Sequence, residues 1–228
     1  MIESQADKAF PGGIGPDIFE ALVSEPDVGV VILAWDLRVV FINTWAARFY
    51  LDCEPDDVVG KTSKELFGRE VAAAHRSNIA RMLESGKPLL MRSLWRGKQV
   101  RVTFRRIPGE NATGDQFLTV HRLIRAGDPD AFEAGTEFEP RISDMIDLGP
   151  LDALSPREIE VLALVGQGLS IKEIAQILGR SVKTIDNHRH SIGQKLGMSD
   201  RLELAEAARE AGLRVDDAKR ERVQTEKN

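Results

Sequence analysis

The sequence predicts an α+β chain. An N-terminal domain is built on a five-stranded antiparallel sheet with helices, and a C-terminal all-α domain has four short helices. Three observations carry this. Between residues 28 and 124, short apolar runs of strand length alternate with helical stretches. From Leu151 to Leu213 only helical periodicity is present. Between the two, Asp128, Asp130, Glu133, Glu137, Glu139, Asp144 and Asp147 face only Arg141, a composition that reads as a solvated acidic linker. The predicted organisation is therefore a leader and short amphipathic helix over 1–26, a mixed domain over 27–125, a linker over 126–150, a helical domain over 151–213 and a charged, frayed tail over 214–228.

In chain order, residues 1–15 carry a Pro-Gly-Gly-Ile-Gly run and read as a flexible leader. Ile18, Phe19, Leu22 and Val23 mark a turn or two of amphipathic helix. Gly29 to Ala34 and Val39 to Ile42 are two apolar runs around Asp36-Leu37, a hairpin signal. Thr44 to Tyr50 is helical, and Asp56 to Lys61 is a helical turn ending at Gly60. Ser63 to Phe67 and Glu70 to Ser85 read as helices, the second closed by Gly86. Pro88 to Trp95, Gln99 to Arg106 and Gln116 to Arg122 read as strands, with Gly97 and Lys98 turning the first into the second. Val100, Val102 and Phe104 alternate with Arg101, Thr103 and Arg105, as a half-buried antiparallel strand requires.

The helical domain is the more sharply written of the two. Ser155 and Glu158 have the spacing of a capping box, with Pro156 at the first helical position. Ser170 and Glu173 repeat the box, and Leu154 with Ile159 and Leu169 with Ile174 stand as hydrophobic staples. Gly168, Gly179 and Gly197 occupy helix-stop positions. Ile171, Ile174, Ala175 and Leu178 form one apolar stripe, and Val182, Ile185, Ile192 and Leu196 the next. Only Gly179 and Arg180 precede the next cap, Ser181, so the two helices form a helix-turn-helix. The polar face of the second presents Lys183, Asn187, His190, Ser191 and Gln194, with Asp186 at its edge. Five basic residues (Arg180, Lys183, Arg189, Lys195 and Arg201) meet only two acids, Asp186 and Asp200, in this stretch. A solvated bundle face accounts for polarity alone; the clustered charge points to a phosphate-binding surface.

Composition bounds the rest. The net charge is −5, and the acidic excess lies before Leu151, which argues against a second nucleic-acid module there. A single cysteine, Cys53, forbids an internal disulfide. No apolar run approaches the ~20 residues of a membrane span, and the polar, acidic opening Ile2 to Asp7 is no signal peptide. The expectation is a cytoplasmic protein without membrane association. No paired carboxylates, nucleophile triad, phosphate loop or metal-ligand spacing appears, so no enzyme is expected.

The stretch from Leu154 resembles the LuxR-type (GerE-like) DNA-binding domain of bacterial transcription regulators. The residues that carry the likeness are Leu154-Ser155-Pro156-Arg157-Glu158, Glu160-Val161-Leu162, Gly168, Lys172-Glu173-Ile174-Ala175, Leu178, Ser181, Lys183-Thr184-Ile185, His188, Lys195-Leu196-Gly197 and Arg201. The resemblance implies a third helix in the major groove. It implies base-facing roles for Asp186, Asn187 and His190, and phosphate roles around Lys183, Thr184, His188 and Lys195; Lys172, Ser181 and Gln194 complete the candidate surface. Many members carry lysine where this chain has Asp186, and an acid there can only accept from a base donor such as cytosine N4.

Residues 27 to 124 resemble a PAS domain, on Gly29, Asp36, Asn43, Ala46-Ala47 and Asp57-Val58-Val59-Gly60-Lys61. Such domains hold haem, flavin, small metabolites or nothing, and many serve in dimerisation. His75 lies in the region that supplies a haem ligand in some of them, but a packing histidine is the simpler reading and no cofactor is expected. Trp35, Trp45 and Trp95 are read as core before pocket.

Together these readings give a sequence-specific transcription regulator. The expected partners are double-stranded DNA, a second copy of the chain, RNA polymerase and a small molecule for the PAS-like domain. Homodimer contacts are expected through Ala205, Ala208 and Ala211 of the fourth helix and through the Ile18, Phe19, Leu22 segment. Two alternatives stand beside this reading. A sigma-factor-like protein would need a helical N-terminal half. An interaction protein whose helix-turn-helix no longer binds DNA would fit Asp186.

Overall fold

The computed structural model describes residues 16–109, 114–124 and 135–223. The leader over 1–15, the first half of the expected linker and the last five residues of the tail lie outside the described residues. The chain divides into two compact units. One comprises Met1–Arg92, Val100–Leu123 and Asp130–Ile142; the other comprises Ser93–Gln99, Ile124–Pro129 and Ser143–Asn228.

The first unit is a sheet with helices against both faces. Its elements are α1 (Pro16–Val23), β1 (Val28–Ala34), β2 (Val39–Ile42), α2 (Thr44–Leu51), a 3-10 turn (Pro55–Asp57), α3 (Ser63–Ser85), β3 (Leu89–Trp95, in this unit as far as Arg92), β4 (Lys98–Ile107, in this unit from Val100), β5 (Gln116–Leu123) and β6 (Glu139–Ile142). The strand order is β2-β1-β5-β4-β3-β6. The five expected strands are present. The break expected between Phe67 and Glu70 is Gly68, whose φ of 85° interrupts α3.

Register sorts the two faces of the sheet. Gly29, Val31 and Leu33 pair with His121, Thr119 and Phe117, and Val102 and Phe104 pair with His121 and Thr119. Directly opposed residues share a face, so this set forms the inner face, under α2. A Cβ on Gly29 would lie 2.8 Å from the Trp45 ring and 3.2 Å from Ala46, which is why glycine stands there. The opposite face carries Val30 and Ile32, packed with Phe19 of α1 and with Phe41; the Phe19 and Phe41 rings meet edge-on at 5.0 Å.

Asn43 ties this unit together. Its side-chain oxygen accepts from Val30 N at 3.0 Å and from Ala46 N at 3.1 Å. Its amide nitrogen donates to Val23 O at 2.7 Å and Val28 O at 2.8 Å. One buried side chain therefore caps α2, adds to β1 and closes the link from α1.

The sheet departs from expectation at one edge. Glu139–Ile142 belongs not to a solvated spacer but to a sixth strand, parallel to β3. Pro140 and the charged Glu139 and Arg141 hid it, because an edge strand tolerates proline and favours charge. The β3–β4 turn is also one residue earlier than expected. Arg96 and Gly97 hold φ of 51° and 70°, the two positive values of a type I′ hairpin turn.

The second unit contains β7 (Met145–Ile146), a 3-10 turn (Gly149–Ala153), α4 (Pro156–Gly166), α5 (Ile171–Ile177), α6 (Val182–Leu196), α7 (Arg201–Glu210), a 3-10 turn (Val215–Lys219) and β8 (Glu221–Arg222). Leu94, Ile146, Leu154, Ile159, Leu162, Ile174, Ile185, Ile192 and Leu204 belong to one buried core. Within this unit Gly97 N donates to Asp147 O, and Asp147 N to Leu94 O, both at 3.0 Å. The second half of the expected linker is thus bonded structure rather than spacer.

The tail, expected to fray after Leu213, is ordered through Val223 instead. β8 pairs in parallel with β7, and Val215 and Ala218 pack on the core. Asp217 is buried and bound to Arg220 at 2.7 Å, while Arg222 donates to the carbonyls of Asp152 and Leu154. Charge density suggested solvent; the apolar residues Leu213, Val215 and Ala218, spaced between the charges, decide otherwise.

The alanines expected at a dimer contact face inward. Ala205, Ala208 and Ala211 are buried in their own unit, and a Cβ on Gly166 would lie 2.6 Å from Ala208, so α7 packs on α4 through them. Phe19 is likewise covered by its own sheet. Among the described residues, no helix is long and apolar enough to cross a membrane.

Candidate nucleic-acid interface

Both capping boxes form as the spacing predicts. Ser155 Oγ accepts from Glu158 N while Glu158 accepts from Ser155 N at 2.7 Å. Ser170 and Glu173 repeat the pair with the same 2.7 Å contact. Gly168, Gly179 and Gly197 hold φ of 84°, 60° and 69°. Arg180 N returns to Ala175 O at 2.9 Å and Ser181 caps Thr184 N at 3.1 Å, so α5 and α6 meet through a tight, fully bonded turn. Ile185 and Ile192 are completely buried beneath α6. Val182, expected in the seam with them, is 48% exposed, because the first turn of α6 projects beyond the core.

The opposite side of α6 falls into two stripes. Lys183, Asn187, His190 and Gln194 recur at i, i+4, i+7 and i+11 and are all exposed, with exposed Asp186 alongside. Thr184, His188, Ser191 and Lys195 form the neighbouring stripe; its first three members are half-buried and Lys195 is exposed, while Ser191 and Lys195 bond to Glu158 of α4. Of the remaining candidates, Lys172 is exposed on the first turn of α5 and Ser181 at the N-cap of α6. The turn therefore brings Lys172, Arg180, Ser181 and Lys183 near helix N-termini, where free amides and the helix dipole already favour phosphate.

The cations are not equivalent. Arg189 is held by Asp186 at 3.0 Å, and Arg201 donates to the carbonyls of Gly168 and Leu169. Lys195, expected on a phosphate, donates to Glu158 at 2.7 Å. Lys172, Arg180 and Lys183 form no ion pair among the described residues. Asp186 thus sits in the exposed stripe with its charge opposed by Arg189, which lessens the repulsion an acid would bring to a DNA surface.

Sequence reasoning treated Glu158 as a cap and missed its second task. The carboxylate, 4% exposed, also accepts from Ser191 Oγ at 2.7 Å. Burial alone would raise its pKa, but the hydrogen bonds from Lys195, Ser191 and Ser155 outweigh it and draw the group down to about 2. Glu158 thereby fixes the rotation of α6 about its axis, and so which stripe faces outward. Glu158→Ala is expected to lower stability by about 2 kcal/mol in urea unfolding, whereas a loss confined to a few tenths would show the tie to be idle.

The comparisons with known proteins follow this geometry. Residues 152–208 match the family model of bacterial regulatory proteins, luxR family. Residues 25–121 match that of the PAS fold. The chain carries a LuxR-type helix-turn-helix domain behind a PAS-fold domain.

Over 71 residues the chain is 41% identical to transcriptional regulatory protein UhpA of Escherichia coli (strain K12), covering 31% of this chain and 36% of that protein. It is 46% identical over 113 residues to oxygen regulatory protein NreC of Staphylococcus carnosus (strain TM300), covering 43% and 49%. The chain thus spans about a quarter to a half of the length of the curated relatives it matches. The crystal structure of a Vibrio cholerae VqmA–ligand–DNA complex shares the fold at a TM-score of 0.50 and 15% identity, with 90% of this chain and 92% of that one covered.

Proposed function

We propose that the chain is a sequence-specific DNA-binding transcription regulator that acts as a homodimer, with the PAS-fold domain as its small-molecule sensor. The observation that carries this reading is the exposed stripe Lys183, Asn187, His190 and Gln194 on a helix whose other side is locked into a core. Asparagine matches the adenine edge, and Lys183 at the helix start suits a phosphate. The regulators UhpA and NreC support the assignment of class, and VqmA, crystallised with a ligand and DNA, supports a two-domain sensor. One helix-turn-helix contacts too little DNA for tight specific binding, and two-fold proteins pair with two-fold sites; this argues for the dimer. RNA polymerase is its partner at a promoter. The mixed sheet of the first unit does not suit a sigma-factor-like protein. The domain is proposed to carry no haem, with His75, whose Nδ1 is hydrogen-bonded to Ser63 Oγ at 2.8 Å, read as a packing histidine.

The test is selection of a binding site from a random DNA pool by the purified chain. A two-fold site is expected, bound at least ~1000-fold more tightly than random DNA, by a species of twice the 25.3 kDa chain mass with no intense visible absorbance. Equal affinity for selected and random DNA would reduce the domain to an interaction module.

A further inference from the structure

We infer that Asp186 and Arg189 work as one reader of a G·C pair: the Arg189 fork donates to guanine, and Asp186 holds the fork while accepting from the paired cytosine. The inference rests on the DNA-reading role proposed above for α6 and names the base pair read at one position of its site.

The helix places the two side chains together. Asp186 and Arg189 stand three residues apart on α6 and so meet across one turn. Arg189 starts from the flank of the helix, about 40° round from the buried Ile185, whereas Asp186 lies about 100° from it, beside the exposed stripe. Arg189 Nε donates to Asp186 Oδ1 at 3.0 Å, which draws the guanidinium out toward that stripe. The Asp186 side chain is 56% exposed and that of Arg189 30%. The next turn leaves the guanidinium uncovered. Gly193, four residues after Arg189, has no side chain to lay over it, and a Cβ there would lie 2.6 Å from Met198 O. Arg189, His190, Gly193 and Gln194 are among the residues lining an open cleft of about 310 Å³.

The chemistry lies in what the bond leaves over. A guanidinium carries five N–H donors in one rigid plane. Nε is spent on Oδ1, and among the described residues neither side chain has another hydrogen bond or ion pair. Nη1 and Nη2 therefore remain as a donor pair, with Asp186 Oδ2 beside them as an acceptor. Guanine presents O6 and N7 side by side to such a donor pair, and cytosine presents its N4–H to a carboxylate. Donors next to an acceptor thus complement a G·C pair in the major groove. An arginine free to swing serves any phosphate; one tied by Nε is already oriented and loses less rotamer freedom on binding. The acid, which alone would repel the phosphates of every sequence alike, has its charge met by the same bond. An exposed ion pair at this spacing adds little to helix stability, so stability gives only a weak reason for it.

The experiment uses the full chain and the DNA site it selects. Each guanine of the site is replaced in turn by 7-deazaguanine, which lacks the N7 acceptor, and binding is followed by fluorescence anisotropy. One guanine in each half-site is expected at which the parent chain loses about tenfold in affinity and Arg189→Ala loses nothing further. Arg189→Lys keeps the charge but not the fork. It is expected to bind random DNA as the parent does and to be equally insensitive at that guanine. Asp186→Ala is expected to bind random DNA more tightly, while its penalty for exchanging that G·C pair for A·T falls by about tenfold. A 7-deazaguanine penalty that is the same in the parent and Arg189→Ala at every position would overturn the inference. So would equal losses on selected and random DNA for Arg189→Ala, the mark of a phosphate contact. Asp186→Ala binding both DNAs more tightly by the same factor, with the G·C penalty intact, would reduce the pair to a surface ion pair. Equal affinity of the parent chain for selected and random DNA would instead sink the DNA-reading role itself.

Discussion

Asn43→Ala is expected to destabilise the sheet unit by about 4 kcal/mol, since each unsatisfied buried polar group costs ~1–3 kcal/mol. The substitution orphans the amides of Val30 and Ala46 and the carbonyls of Val23 and Val28 in one step. No shift of the backbone restores all four, because they come from three separate segments. Asn43→Asp keeps both acceptor contacts and loses both donor contacts, so it is expected to fall between alanine and the parent chain. Urea unfolding followed by tryptophan fluorescence reads both, as Trp35 and Trp45 lie in this unit. A loss below about 1 kcal/mol for Asn43→Ala would mean that water replaces the bonds and that Asn43 is no hub.

Acidification is expected to unfold the sheet unit before the helical one. His75 and His121 titrate near 4 and 3 in the folded chain against 6.5 for an ordinary histidine. Between pH 6.5 and 4 the unfolded state takes up protons that the folded state refuses. Stability therefore falls with falling pH, by about 1.4 kcal/mol per unit for each histidine, and His75 alone removes about 3 kcal/mol by pH 4. Glu158 runs in a different window. Its folded pKa of about 2 lies below the ordinary 4.5, so its contribution is complete above 4.5 and is lost progressively as pH falls from 4.5 to about 2. Unfolding midpoints measured from pH 7 to 4 are expected to decline for the sheet unit with little change in the helical unit. His75→Gln is expected to flatten that decline, and an unaltered slope would show that His75 is not held neutral.

The helical domain was the more legible part of the sequence, for a physical reason. Serine, glutamate and glycine at Ser155, Glu158, Gly168, Ser170, Glu173 and Gly179 act locally, within one or two helical turns, and local spacing is what a sequence displays directly. What it hid depends on distant partners. Lys195 reads as an exposed cation until the buried Glu158, 37 residues earlier, is seen to hold it. Ala205 and Ala208 read equally well as an outer or an inner contact surface. In the sheet domain, alternation exposed β4, but β6 has none, since Glu139-Pro140-Arg141 sits at an edge where pairing with β3 supplies the order. The Tyr50–His121 hydrogen bond joins residues 71 positions apart and leaves no local trace.

The most direct test of a DNA-reading α6 is a salt titration of Lys183→Ala and Asn187→Ala on both selected and random DNA. Lys183, exposed at the helix start, is placed for a phosphate; Asn187, one turn on in the same stripe, is placed for a base. Lys183→Ala is expected to weaken binding to both DNAs alike and to flatten the salt dependence by about one unit of slope. Asn187→Ala is expected to lose ~1–3 kcal/mol on the selected site alone, with random binding and the slope nearly unchanged. Equal losses on both DNAs for Asn187→Ala, or an intact slope for Lys183→Ala, would contradict the placement of this helix in the groove.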